Sequence, residues 1–168
     1  MDLELVIAYE TEEASALDEE AAFDVIAGVL EHEEVDRDCS ISLTYVDDEE
    51  IRRLNREWRG VDAPTDVLSF ECDSPDDPDL PEGIPVELGD IVIAPAFVSR
   101  QASSFGTTFA DEERLMLVHA TLHLLGYDHM EDEDAPLMQS VEDAILSEME
   151  TDGTLTDVVL ARHREEEL

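Results

Sequence analysis

The stretch "DEERLMLVHATLHLL" (111–125), followed directly by "GYDH" (126–129), organises the reading of this chain. Leu115, Val118 and Leu122 recur at three- and four-residue spacing, and further apolar residues fill the positions between them. That pattern predicts a helix buried in the centre of the fold. His119 and His123 stand one turn apart on it, and Gly126 is free to adopt the left-handed backbone that ends a helix, which turns His129 back toward them.

Working outward, "GDIVIA" (89–94) and "TDVLSF" (65–70) read as strands, separated by the Pro- and Asp-rich segment "CDSPDDPDLPEGIPVE" (72–87), a flexible loop or a lid. "CSISLTYV" (39–46) and "LELVIAY" (3–9) alternate with period two and add two more strands. Between them, "SALDEEAAFDVIAGVLEHEEV" (15–35) carries Leu17, Ala21, Val25 and Val29 at helical spacing behind a serine start, and "DDEEIRRLNREW" (47–58) begins with an aspartate cap. Pro95 opens a helix to about Ser104, and "EDAPLMQSVEDAILSEME" (133–150) predicts a core helix with Leu137, Val141, Ile145 and Met149 on one face. The tail from about 153 continues as helix or frays. The order βαβαββααα predicts one α+β domain over 1–168: a small mixed four-stranded sheet packed with helices, with the histidine helix at its centre.

Composition narrows the function classes. The chain has 46 acidic and nine basic residues for a net charge of −37, and every basic residue is arginine. With 43% hydrophobic residues in periodic segments a core is within reach, so disorder is not implied and the charge belongs to the surface. Self-repulsion on this scale is screened at molar salt, where the Debye length falls to about 3 Å, which points to a salt-adapted cytoplasm. No apolar run approaches a membrane span and no secretory signal is visible, so no membrane partner is expected. Cys39 and Cys72 form no C-x-x-C pair and read as reduced and mostly buried.

The histidines carry the chemistry. Three neutral imidazoles, His119, His123 and His129, leave one position of a tetrahedral zinc ion for water, as in catalytic rather than structural sites. The H-x-x-x-H-x-x-G-x-x-H spacing is that of metzincin proteases, yet the glutamate they place after the first histidine as general base is here Ala120. Asp128 is the candidate outer hydrogen-bond partner. His32 and His163, each among charged residues, read as ordinary satisfied histidines.

The second informative run is "IRRLNREWRG" (51–60). Arg52, Arg56 and Arg59 follow i, i+4, i+7 spacing with Arg53 alongside, concentrating scarce positive charge for phosphate binding. The plainer alternative is a solvated helix face paired with Glu49, Glu50 and Glu57.

"HATLHLLGYDH", "LNREWRGVDAPTDVLSF" and "LGDIVIA" together resemble the YbeY family of bacterial metal-dependent endoribonucleases, over about Ile41 to Met149. The resemblance implies one zinc ion per chain at His119, His123 and His129 and a functional arginine at Arg59; His119 and Arg59 are then the expected catalytic residues, and the charge run Arg52, Arg53, Arg56 and Arg59 the expected RNA contacts. It also implies a cleft beside the "TDVLSF" strand, single-stranded rRNA as substrate in 16S 3′-end maturation and ribosome quality control, and the small subunit with its assembly factors as partners. Two positions depart from the family's pattern: Ala120 replaces glycine, and Glu71, which adds negative charge where RNA would pass, replaces proline. The general base, the choice between water and the RNA 2′-hydroxyl as nucleophile, and the oligomeric state stay open. So do two rivals, a metalloprotease-like hydrolase and a non-enzymatic assembly factor with structural zinc.

Overall fold

The structure, a computed structural model, describes residues 1–127 and 134–167. Its elements run β1 (Leu3–Tyr9), α1 (Glu19–His32), β2 (Cys39–Tyr45), α2 (Asp48–Arg59), β3 (Val67–Glu71), β4 (Val86–Ile93), α3 (Pro95–Phe105), α4 (Phe109–Leu124), α5 (Asp134–Glu148) and α6 (Asp157–Glu167). The strands form one sheet in the order β1-β2-β4-β3. The first three are parallel and β3 is antiparallel to β4, so the sheet is mixed as expected.

Period-two alternation builds the sheet's two faces. On β2, Cys39, Ile41, Leu43 and Tyr45 are buried while Ser40, Ser42 and Thr44 alternate with them. The inward set joins Ile91 and Ile93 of β4, Val67 of β3, and residues of α1, α4 and α5 in the main core. A smaller core forms from Leu68, Phe70 and Val92 with Ile51 and Leu54 of α2 and Phe97 of α3. Since Val67 and Leu68 are sequence neighbours on one strand, α4 and α2 pack on opposite faces of edge strand β3. Gly89 permits β3's close approach at the bulge where β2 and β4 shift register: its φ is +140°, and a Cβ there would lie 2.0 Å from the Phe70 carbonyl oxygen.

Helix α4 is buried nearly all round, with Leu115, Leu117, Val118, Leu122 and Leu124 in the core. Each such side chain contributes about 1.5–3 kcal/mol on burial, so packing rather than propensity holds this helix. It starts two residues earlier than the sequence pattern suggests, with Thr108 as cap accepting from the Asp111 N–H.

Its first turn overturns the expectation that the charge lies on the surface, because Asp111, Glu112 and Glu113 are wholly buried. Glu113 accepts from the Ala16 and Leu17 N–H groups at 2.9 and 3.1 Å and from the Tyr45 hydroxyl at 3.3 Å. Burial pushes its carboxyl up in pKa against the lowering effect of those donors. Glu112 accepts from the Thr107 hydroxyl and contacts His163 Nε2 at 2.9 Å. Asp111 accepts from the Asp152 and Thr154 N–H groups and from Arg114. Burial works against its charge, but these bonds and that from the Thr154 hydroxyl hold its carboxyl below the ordinary 3.8.

Several other expectations are corrected. Helix α1 begins after Asp18, whose carboxylate accepts from the Ala21 N–H, so Ser15 is not its start and Leu17 is buried ahead of the helix. On α5 Leu137 is 56% exposed, and Met138 takes the core position. Cys72 is exposed; Cys39 alone of the two is buried. His163, by contrast, is the satisfied histidine the sequence suggests: it is buried, contacts Glu112 and stacks on Phe105 at 3.8 Å, which docks α6 against the body.

Candidate metal and RNA site

The last two turns of α4 set the site. Its end is a Schellman motif: Tyr127 N–H donates to the Leu122 carbonyl at 3.1 Å and Gly126 N–H to the His123 carbonyl at 3.0 Å, with Gly126 at φ +102°. The left-handed turn anticipated at this glycine is therefore present. Tyr127 also donates its hydroxyl to Glu33, and burial together with that bond pushes its pKa to about 12. His129 and Asp128, the third ligand and the outer partner suggested by the sequence, lie outside the described residues.

His119 and His123 project from one face of α4 with ring centroids 4.6 Å apart and planes at 79°. Their Nε2 atoms approach to 3.1 Å. Two nitrogen ligands at about 2.0–2.1 Å from one tetrahedral zinc ion stand about 3.3–3.4 Å apart, so the pair has the spacing of shared coordination. The other nitrogen of His119, Nδ1, is 2.7 Å from Glu142 Oε1. With Nδ1–H donating to that carboxylate, the tautomer directs the Nε2 lone pair toward His123, the arrangement that orients metal-bound imidazoles. The donor set fits a zinc ion.

Sequence reading missed Glu142. A signal existed: on α5 it falls four residues after Met138 and three before Ile145, an acid within a buried stripe. An acid so placed needs a buried partner, and His119 is that partner. Ala120 is buried against the main core rather than in the site.

The arginines sit on α2. Arg52 donates to Asp62 at 2.9 and 3.2 Å, and Arg56 lies 3.7 Å from the same carboxylate. Arg53 pairs with Glu50 and, at 2.8 Å, with Glu57. Arg59, exposed at the helix end, makes no ion pair with any described residue. The turn after it is held by Asn55, another residue the sequence reading passed over, whose Nδ2 donates to the Ala63 carbonyl at 2.8 Å. Asp66 accepts from the Val67 N–H at 2.7 Å and shapes the entry to β3.

The helix ends that carry the arginines and the histidines both reach the C-terminal end of β3, through Trp58 and Gly126 respectively. Trp58 contacts Phe70 edge to face at 5.9 Å, and a Cβ on Gly126 would stand 4.0 Å from Glu71 Oε1. Among the described residues no helix is long and apolar enough to cross a membrane.

A mixed α+β sheet carrying a carboxylate-backed histidine pair on its central helix has the makings of a hydrolytic metal centre. Comparison with known proteins narrows the class. The family model described as Endoribonuclease YbeY matches residues 6–150. Endoribonuclease YbeY of Desulfitobacterium hafniense is 46% identical over 114 residues, covering 67% of this chain and 73% of that protein. The protein of the same name from Shouchella clausii is 42% identical over 128 residues, covering 73% of this chain and 80% of its own. The solution structure of TM1509 from Thermotoga maritima superposes with a TM-score of 0.56 at 26% identity, over 96% of this chain and 93% of that one. The chain belongs to the YbeY family of endoribonucleases.

Proposed function

We propose that this chain is a zinc-dependent nuclease of single-stranded rRNA, holding one ion through His119, His123 and His129 and working in 16S rRNA 3′-end maturation and ribosome quality control, with the small subunit and its assembly factors, in a salt-rich cytoplasm. The observation that carries the metal reading is the 3.1 Å approach of His119 Nε2 to His123 Nε2 with Glu142 on the far nitrogen of His119.

A zinc ion held there supplies Lewis acidity toward a water molecule or a phosphoryl oxygen. The chain's own residues do the rest. Glu142 fixes the ring of His119 and its tautomer. Arg59 directs a guanidinium at the scissile phosphate and stabilises the negative charge that grows on its oxygens. Arg52, Arg53 and Arg56 contribute only by exchanging Asp62, Glu50 and Glu57 for phosphates, which makes them weaker contacts than Arg59. A net charge of −37 repels RNA at long range, so binding depends on short-range contacts in screening salt.

The test is cleavage of a 16S rRNA 3′-terminal fragment in molar KCl by wild type and His123→Ala, each verified as folded. Cleavage by wild type alone, stopped by a chelator, is the expected result. Equal cleavage by both proteins overturns it.

A further inference from the structure

Trp58 is the chain's single tryptophan and is 65% exposed. It stands four residues after Leu54 and seven after Ile51, so it continues the stripe by which α2 packs on the sheet. That packing ends in the edge contact with Phe70 and leaves most of the indole in water. A packing role thus explains about a third of this surface. Beside it Arg59 makes no ion pair with any described residue, although Arg52, Arg53 and Arg56 on the same helix are all matched with carboxylates. Phe70, the residue Trp58 touches, precedes Glu71, which approaches the turn three residues beyond His123.

We propose that Trp58 is a nucleobase-stacking residue for single-stranded RNA, with Arg59 taking the adjoining phosphate. The inference rests on RNA as the substrate and adds the contact that reads its bases. An exposed aromatic face next to a cation is the combination by which single strands are held without sequence preference. Salt supplies a further reason. Affinity from phosphate contacts falls as salt rises, whereas stacking does not depend on counterion release. A chain of −37 that needs salt to approach RNA retains stacking affinity under the conditions that weaken its ionic contacts.

Because the tryptophan is unique, its fluorescence reports the contact directly. In 2 M KCl the whole protein is titrated with 2′-O-methyl hexauridylate and with an abasic chain of the same length and charge. Saturable quenching by the first and not the second is expected. In cleavage of unstructured oligoribonucleotides, Trp58→Leu raises KM by about 5- to 100-fold with kcat unchanged, the loss of one stacked base, while Trp58→Phe restores most of it. Equal quenching by both chains, no quenching, or an unchanged KM in Trp58→Leu overturns the assignment. So does a Trp58→Leu defect seen only on whole small subunits, which marks the patch as a protein-docking surface. The titration needs no cleavage, so it stays decisive if the nuclease reading fails through equal activity of His123→Ala.

Discussion

At the N-terminal end of α4, three consecutive carboxylates have left water entirely, and each is occupied by a different set of donors: Glu113 by the segment before α1 and Tyr45 of β2, Glu112 by Gln101 of α3, Thr107 before α4 and His163 of α6, and Asp111 by the turn at 152–154 and Arg114. At the C-terminal end, two histidines one turn apart turn nitrogens toward each other, and among the described residues a carboxylate from α5 steadies the ring of His119. Both ends bury polar groups on one rigid helix. In the first the donors and acceptors are matched within the protein, and the result is cohesion. In the second, two ring nitrogens converge at 3.1 Å, a spacing suited to shared coordination of a cation.

The contrast breaks most severely at the histidines. His123→Ala, or chelation of wild type, is expected to reduce RNA cleavage to background while thermal melting keeps one cooperative transition; a large loss of stability instead would make the pair structural like the acids at the other end. Next in size is the steadying carboxylate. Glu142→Gln is expected to weaken zinc affinity about 10- to 100-fold, read by competition against a colorimetric chelator. An unchanged affinity would detach Glu142 from the site.

The acid cluster gives smaller, opposite-signed effects. Asp111→Asn is expected to cost about 1.5–3 kcal/mol at neutral pH through lost charge-assisted hydrogen bonds, measured by urea denaturation. Because the folded pKa of Asp111 is lowered, its contribution is complete above the ordinary 3.8 and disappears as pH falls through the folded value, so the gap closes in acid. Glu113 is raised above its ordinary 4.5, so its contribution is complete below that value and is lost as pH rises through the folded one, and a Glu113→Gln gap narrows over the same rise. Parallel pH profiles for the two variants would contradict these assignments. Smallest of all, Arg53→Ala on the exposed face of α2 is expected to leave the melting midpoint unchanged.

Most of the fold was legible because its signals are local. Alternation marked β1 and β2, apolar runs bounded by turn residues marked β3 and β4, the Asp47 cap marked α2, and the continuous apolar pattern placed α4 at the centre. The histidine pair was legible because one helical turn suffices to bring the rings together. What escaped depends on tertiary partners. Asp111, Glu112 and Glu113 look like a dipole-favoured exposed first turn, and the donors arriving from residues 16–17, 45, 107, 114, 152–154 and 163 offset the cost of their burial. Glu142 hid in the same way, as did the inward turn of Met138 in place of Leu137.

The stacking of His163 on Phe105 and its bond to Glu112 set an order on the birth of the molecule. A nascent chain emerges from its N-terminus, so the donors to Glu113 at 16, 17 and 45 are translated before α4, whereas the 152–154 turn that serves Asp111 and the His163 that serves Glu112 come after it. Until His163 has cleared the exit tunnel, Glu112 lacks its imidazole, and Asp111 waits for the 152–154 turn in the same interval. The core of this chain is therefore sealed late in synthesis: a stalled nascent chain that stops short of residue 152 leaves Asp111 with Arg114 but without the 152–154 donors, and Glu112 with Thr107 but without His163.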